Sequence, residues 1–282
     1  MRALFCLLFF FSNVIRAEAS VISCTNLRYG FFSGFHTIVG LLDAYEKKEV
    51  AGVEIDLGTL GLYYDEERGP NWWGYYFEPL SIHINRNVPR VPLELRQYGQ
   101  YSLRASGQLP RKRCFFLINK YIKIRSEIQQ EVNEFIHNNF GTQPFVSIHY
   151  RGTDKMKHEA ELLSVNKTIS NIKRALSHMK GCKHLKIFVA TDDQGFLYHM
   201  KKTFGSRVRY FEMERSRNNQ AVHTHGTSSG YIKGKMALLD CLVLSKSCFL
   251  FRTSSNLSNA ALLFNPSLSS RRLNKGKWGG DR

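Results

Sequence analysis

The 282-residue sequence predicts an α/β protein whose C-terminal half is a doubly wound parallel sheet. Three observations carry this. In the back half, short apolar runs alternate strictly with helical patterns, the signature of parallel strands joined by crossover helices. Polar residues cluster directly after those apolar runs, at the carboxyl ends of strands, where such sheets bind ligands. The front half opens as strand, glycine turn, helix, strand, the start of another α/β layer.

The elements follow in chain order. Arg2, the apolar run at 3–11 and Ala17-Glu18-Ala19 have the layout of a secretory signal peptide over residues 1–19. The apolar run is shorter than the roughly 20 residues of a membrane span, so a short uncleaved anchor is the lesser alternative. Either reading places the chain in the secretory-pathway lumen or outside the cell. Gly30 and Gly34 then mark a turn after a short apolar strand. Phe35, Ile38, Val39, Leu42 and Tyr45 recur at helical spacing, and Glu46, Lys47 and Lys48 close the helix. Val53, Ile55 and Leu57 alternate as a strand. Gly69-Pro70-Asn71-Trp72-Trp73 reads as a loop, and 85–110 shows little periodicity. Ile128, Val132, Phe135 and Ile136 give an amphipathic helix ending near Phe140-Gly141. A boundary there divides an N-terminal domain, 20–140, from a C-terminal domain, 141–282. The second domain reads as strands at 145–150, 186–190, 208–211 and 249–251, with helices at 165–179, 196–204, 232–244 and 257–264.

Composition narrows the partners. Lys and Arg number 40 against 23 Asp and Glu, a net charge of +17. That favours something anionic: a nucleotide diphosphate, an anionic surface or a nucleic acid. A solvated basic surface is the plain alternative. No nucleic-acid-binding motif accompanies the charge, so no specific nucleic acid is expected. The cysteines show no CxxC and no Cys/His spacing suited to zinc. Cys241 and Cys248 sit in apolar segments and read as core residues. A Cys24–Cys114 disulfide is permitted by export. There is no GxGxxG, no P-loop and no G-x-S-x-G elbow, which removes motif support for dehydrogenase, NTPase and α/β-hydrolase readings.

Three polar clusters at strand ends remain. The first is His149-Tyr150-Arg151-Gly152-Thr153-Asp154-Lys155, with Glu159 four residues beyond Lys155. Arg151 offers a planar fork suited to a diphosphate, and Gly152 allows a sharp turn or a close approach. The plain alternative is a surface turn with an ion pair. The second is Thr191-Asp192-Asp193. Two carboxylates with no third ligand make a poor metal site, so one is expected to orient Arg151 and the other to cap the next helix. The third is Thr253-Ser254-Ser255-Asn256, where hydroxyls and backbone N–H groups at a helix start suit phosphate or form an ordinary cap. Asp240 stands alone in the apolar helix 236–244. A buried carboxylate needs a partner: either a guanine N1–H and N2–H edge, or a nearby base such as Lys235 or His149.

His-x-Arg-x-x-Asp-Lys, then Ala-Thr-Asp-Asp, then an Asp-bearing helix and a Ser-rich helix start resembles the fucosyltransferase superfamily. The likeness is strongest to its α1,6 branch of core N-glycan and nodulation-factor enzymes, over about 145–266. Tyr29-Gly30, Phe35-His36, Trp72-Trp73 and Phe77 resemble that branch's N-terminal domain more weakly. Gly152 stands where the branch commonly has a second arginine, and Asn256 where it has a second serine. The resemblance implies a GT-B-like fold of two Rossmann-like domains, with acceptor on the N-terminal side and GDP-fucose on the C-terminal side. It implies inverting transfer of fucose to a hydroxyl of an oligosaccharide or glycoconjugate, with no metal and no cofactor. It implies catalytic roles for Arg151, Lys155 and Glu159. Donor binding would fall to His149, Arg151, Asp154, Asp192, Asp193, Asp240, Thr253, Ser254, Ser255 and Asn256. The competing expectation is a non-catalytic nucleotide-sugar or glycan-binding module on the same fold.

Overall fold

The computed structural model describes residues 20–25, 30–85, 87–93, 101, 109–152, 164–179, 181, 184–216 and 227–274. They form two sheets, both wholly parallel. In the front sheet, β1 (Val21–Thr25) lies between β2 (Gly52–Asp56) and β3 (Arg90–Pro92). Helix α1 (Phe31–Glu46) makes the crossover from β1 to β2. It buries Phe31, Phe32, Phe35, Ile38, Val39, Leu41 and Leu42, a wide apolar face for a helix enclosed between layers.

The back sheet has five strands: β4 (Val146–Tyr150), β5 (Ile187–Thr191), β6 (Val208–Arg209), β7 (Phe249–Arg252) and β8 (Ser270–Arg272). Their order is β6-β5-β4-β7-β8. The chain moves outward from β4 through β5 to β6, then returns to lay β7 and β8 on the other side. Strand order therefore reverses at β4. In doubly wound sheets such a reversal marks the place for a ligand crevice, here at the carboxyl ends of β4 and β7.

Period-two alternation sends each strand's side chains into two cores. Val146, Ile148, Tyr150, Ile187 and Val189 pack with α4 (Val165–His178) and α5 (Gln194–Phe204). Tyr150 stacks on Phe196 with centroids 3.9 Å apart. Phe188, Ala190 and Leu250 face the other way, toward α3 (Ser126–Phe140), α6 (Gly230–Ser245) and α7 (Asn256–Phe264). Phe135 of α3 meets Phe188 edge-on at 5.6 Å. That helical layer also serves the front sheet. Phe264 of α7 packs on Phe35 of α1 at 5.4 Å, and Tyr231 of α6 stacks on Tyr76 at 5.8 Å. One continuous apolar cluster thus runs from α1 through α6 and α7 to the back sheet.

Several expectations are corrected. Helix α2 (Arg111–Tyr121) was not anticipated: its buried stripe, Cys114, Leu117, Ile118 and Tyr121, follows three cations with no side-chain cap. The stretch read as irregular contains β3, and the polar end of the chain contains β8, an edge strand carrying Arg271 and Arg272. Basic residues are common at sheet edges, where they deter pairing with other chains. The third strand of the back half is shorter than expected, ending at Arg209. Cys24 and Cys114 are both buried free thiols, so they form no disulfide. Burial pushes each thiol up to about 12. Cys248 is exposed, not a core residue.

Candidate active site

The crevice at the strand reversal gathers residues from three strand ends. Arg151 follows β4. Its backbone N–H donates to Thr253 Oγ1, 2.9 Å away and just beyond β7. Thr253 N–H donates to the His149 carbonyl at 3.0 Å, and its hydroxyl lies 3.4 Å from His149 Nδ1. These bonds extend the β4–β7 pairing one step past the strands and fix where the Arg151 side chain starts.

The two carboxylates after β5 do different work. Asp192 Oδ2 sits 3.1 Å from Arg151 Nε, and its Oδ1 accepts from Gly152 N–H at 3.0 Å. It therefore holds both the guanidinium and the turn beneath it. Both side chains are mostly buried, with 21% and 11% of their surface exposed, where an ion pair is screened less than at an open surface. Asp193 instead caps α5, accepting from Phe196 N–H at 2.8 Å. Gly152 is required by this packing. A Cβ there would lie 2.4 Å from Asp193 Oδ2 and 2.7 Å from Asp193 Cβ. A second arginine at this position is sterically excluded while Asp193 caps the helix.

Thr253 and Ser255 are buried at the start of α7. Ser255 occupies the N-cap position, yet its side chain caps no backbone N–H. Ser254 N–H donates to Asn274 Oδ1 at 2.9 Å. Asn256 Oδ1 is buried and finds no hydrogen-bond partner among the described residues. The helix start is thus not closed by its own cap. It leaves donors available beside Arg151.

Asp240 is buried in α6, on the layer beneath β4 and β5. Burial pushes its carboxyl up to about 7; the charge of Arg215 pulls it down and that of Asp192 pushes it up. Lys235, weighed as its partner, is taken by Glu131 at 2.6 Å. The cation that acts on Asp240 is Arg215, which sequence reasoning missed. Arg215 donates to the Thr191, Met213 and Phe211 carbonyls, pinning the segment after β6 to the end of β5. It also lies after a strand, so the rule that selected the other clusters could have found it. Tyr63 was missed as well. Its hydroxyl accepts from Phe31 N–H at 2.9 Å, and the field of Arg151 reaches it. A front-half side chain thus lies within reach of the Arg151 charge. Asp154, Lys155 and Glu159 lie outside the described residues. Among the described residues, no group of three or more His, Cys, Asp or Glu is placed to hold a metal.

Two parallel α/β sheets, the second reversing its strand order beside Arg151, form a GT-B-like fold, and solved structures bear this out. Fucosyltransferase NodZ from Bradyrhizobium matches with TM-score 0.61 and 16% identity over 88% of this chain and 94% of that one. NodZ α-1,6-fucosyltransferase soaked with GDP-fucose matches with TM-score 0.61 at 15% identity, with the same coverage. A mutant FUT1 of Arabidopsis thaliana in complex with GDP matches with TM-score 0.53 and 10% identity, over 90% of this chain and 70% of that one. A search of curated proteins finds no match. The family model of α-(1,6)-fucosyltransferase N- and catalytic domains matches residues 114–259, just over half of the chain, and the chain belongs to that family.

Proposed function

We propose that the protein transfers fucose from GDP-fucose to a hydroxyl of an oligosaccharide or glycoconjugate, with inversion and without a metal. The observation that carries this is Arg151, held by Asp192 at the strand reversal beside the uncapped start of α7. Negative charge builds on the departing diphosphate as the glycosidic bond breaks. A guanidinium fixed before the reaction, together with helix-terminal N–H groups, stabilises that charge without reorganisation. Thr253, Ser254, Ser255 and Asn256 supply the phosphate side of the site. Asp240 and His149 read the guanine edge, the Asp240 carboxylate accepting from N1–H and N2–H. Asp192 and Asp193 are positioning residues: Asp192 aims Arg151 and holds the turn at Gly152, and Asp193 caps α5. The sequence motif assigns Glu159 as the base that takes the acceptor's proton, paired with Lys155, and assigns Asp154 to the donor side.

In this reading residues 20–140 carry the acceptor side and 141–282 the donor side, and the 1–19 leader delivers the chain to the secretory lumen. Calorimetry with GDP-fucose, GDP-mannose and UDP-sugars, followed by turnover on mixed glycans, tests the assignment. GDP-fucose should bind tightest and be turned over, and Arg151→Ala should abolish transfer in a folded protein. Binding without turnover on any glycan would favour the non-catalytic alternative. Preference for a UDP-sugar would overturn the donor.

A further inference from the structure

Helix α2 is amphipathic twice over. Its inner face buries Cys114, Leu117, Ile118 and Tyr121. Its outer face exposes two adjacent phenylalanines, Phe115 at 39% and Phe116 at 46%. Arg111, Lys112 and Lys120 are exposed around them. From 95 to 126 the sequence has Arg96, Arg104, Arg111, Lys112, Arg113, Lys120, Lys123 and Arg125, and no Asp or Glu. The charge continues across the fold. Arg252, buried at the end of β7, feels the fields of both Arg272 and Arg111. Cations at a helix start oppose the helix dipole, so Arg111 and Lys112 gain the helix nothing at their positions. Local rules broken together in this way point to a function.

The placement of α2 says what it faces. Arg113 pairs with Asp43 at 2.8 Å and Lys120 with Glu46 at 2.6 Å, which pins α2 to the last turn of α1. The chain enters the fold at that same end. Val21 lies beside Gly52, just after α1, and Ser20 accepts from Ala51 N–H. The apolar run at 3–11 precedes this point. We propose that the outer face of α2 docks on an anionic lipid bilayer, with Phe115 and Phe116 entering the interface and the surrounding cations meeting lipid headgroups. Aromatic side chains beside lysine and arginine are the mark of helices lying in a membrane interface, and each nearby cation adds attraction to an anionic leaflet. A second copy of the chain fits poorly, because each copy carries +17 and the cations surround the apolar centre. No helix among the described residues is long and apolar enough to cross a membrane, so the contact is peripheral.

The test places a reporter on the face itself. The full chain carrying Phe116→Trp is mixed with vesicles of phosphatidylcholine alone, or of phosphatidylcholine with phosphatidylglycerol, each with brominated acyl chains. Trp72, Trp73 and Trp278 are present in both proteins, so the signal gained over the unsubstituted chain reports position 116, whatever the leader does. That signal should shift to the blue and be quenched on the anionic vesicles. Adding Arg111→Ala and Lys112→Ala should weaken the anionic partition roughly tenfold or more. These changes remove charge from a helix start that disfavours it, so the fold should survive them. Absence of quenching, equal quenching on neutral vesicles, insensitivity to the two charge changes, or a blue shift that tracks self-association without lipid would each overturn the proposal.

Discussion

The crevice is built by a few side chains whose roles differ although their neighbours in sequence are alike. Asp192 and Asp193 are adjacent carboxylates, yet one faces Arg151 and the other faces its own helix. This division was legible in the sequence, because a carboxylate just before a helix is a natural cap and the other then remains for the arginine. Arg215 and Tyr63 were not legible. Each reaches the site by tertiary approach from a segment with no motif. Gly152 links the two carboxylates, since a methyl there would strike Asp193. Gly152→Ala should lower stability by about 1–3 kcal/mol through overpacking, read as a shifted denaturation midpoint. Asp193→Ala should cost about 1 kcal/mol as a lost cap. The contacts with the residue-193 Cβ and with Tyr150 Cε1 at 2.8 Å remain in the double variant, so it should still be less stable than Asp193→Ala alone; equal stability of the two would show that the clash is not the cause. Asp240 gives a pH signature. Burial raises its carboxyl to about 7, whereas the guanine contact proposed for it needs the carboxylate. GDP affinity should therefore rise with pH and level off above about 7, with roughly a tenfold loss for each unit below it. Asp240→Asn keeps an acceptor and should flatten the profile. An unchanged slope in that variant would place the titrating group elsewhere.

At the scale of elements, the alternating strands and helices of the back half were legible because each buries one clear stripe. α2 and β8 were hidden by their charge. Cations at the start of α2 read as surface, and β8 reads as a basic tail until its pairing with β7 is seen. What fixes α2 is Asp43, buried in α1 and bonded to Arg113 at 2.8 Å and Lys47 at 2.7 Å. Burial alone would raise its pKa, but the hydrogen bonds from Lys47 and Arg113 outweigh it and hold the carboxyl below its ordinary value. A lowered carboxyl pKa stabilises the fold above the unfolded pKa, and that stability is lost as pH falls through the folded one. Asp43→Asn should thus cost on the order of 1–2 kcal/mol at neutral pH, mostly through the Arg113 bond, because Lys47 is exposed and contributes little. The gap between variant and parent should close below about pH 4. A gap that persists in acid would mean that the substitution acts through packing instead.

For the whole molecule, the two parallel sheets suggest two separable domains, and the sequence places their boundary at 140/141. The packing argues for something more tightly joined. α3 lies before that boundary yet covers the back sheet, with Phe135 on Phe188 and Phe140 stacked on Phe145 at 4.0 Å. α7 lies after it yet packs on α1 through Phe264 and Phe35. Cut at the boundary, the back half would expose the outer faces of α6 and α7 and one side of its sheet. Leu238, Leu239, Leu242, Ala261 and Leu262 all belong to the cluster shared with the front half. Each large side chain so exposed loses roughly 1.5–3 kcal/mol, and a few such losses match the total stability of an ordinary domain, about 5–15 kcal/mol. Residues 141–282 expressed alone should therefore fail to fold cooperatively, bind apolar dyes and bind no GDP, whereas the intact chain should unfold in one calorimetric transition. A folded, GDP-binding fragment, or two separate transitions in the intact chain, would show that the shared layer is an interface between independent domains. In the intact protein the site then draws on both halves: the back sheet sets Arg151, Asp192 and Thr253, and Tyr63 of the front half lies within the field of Arg151.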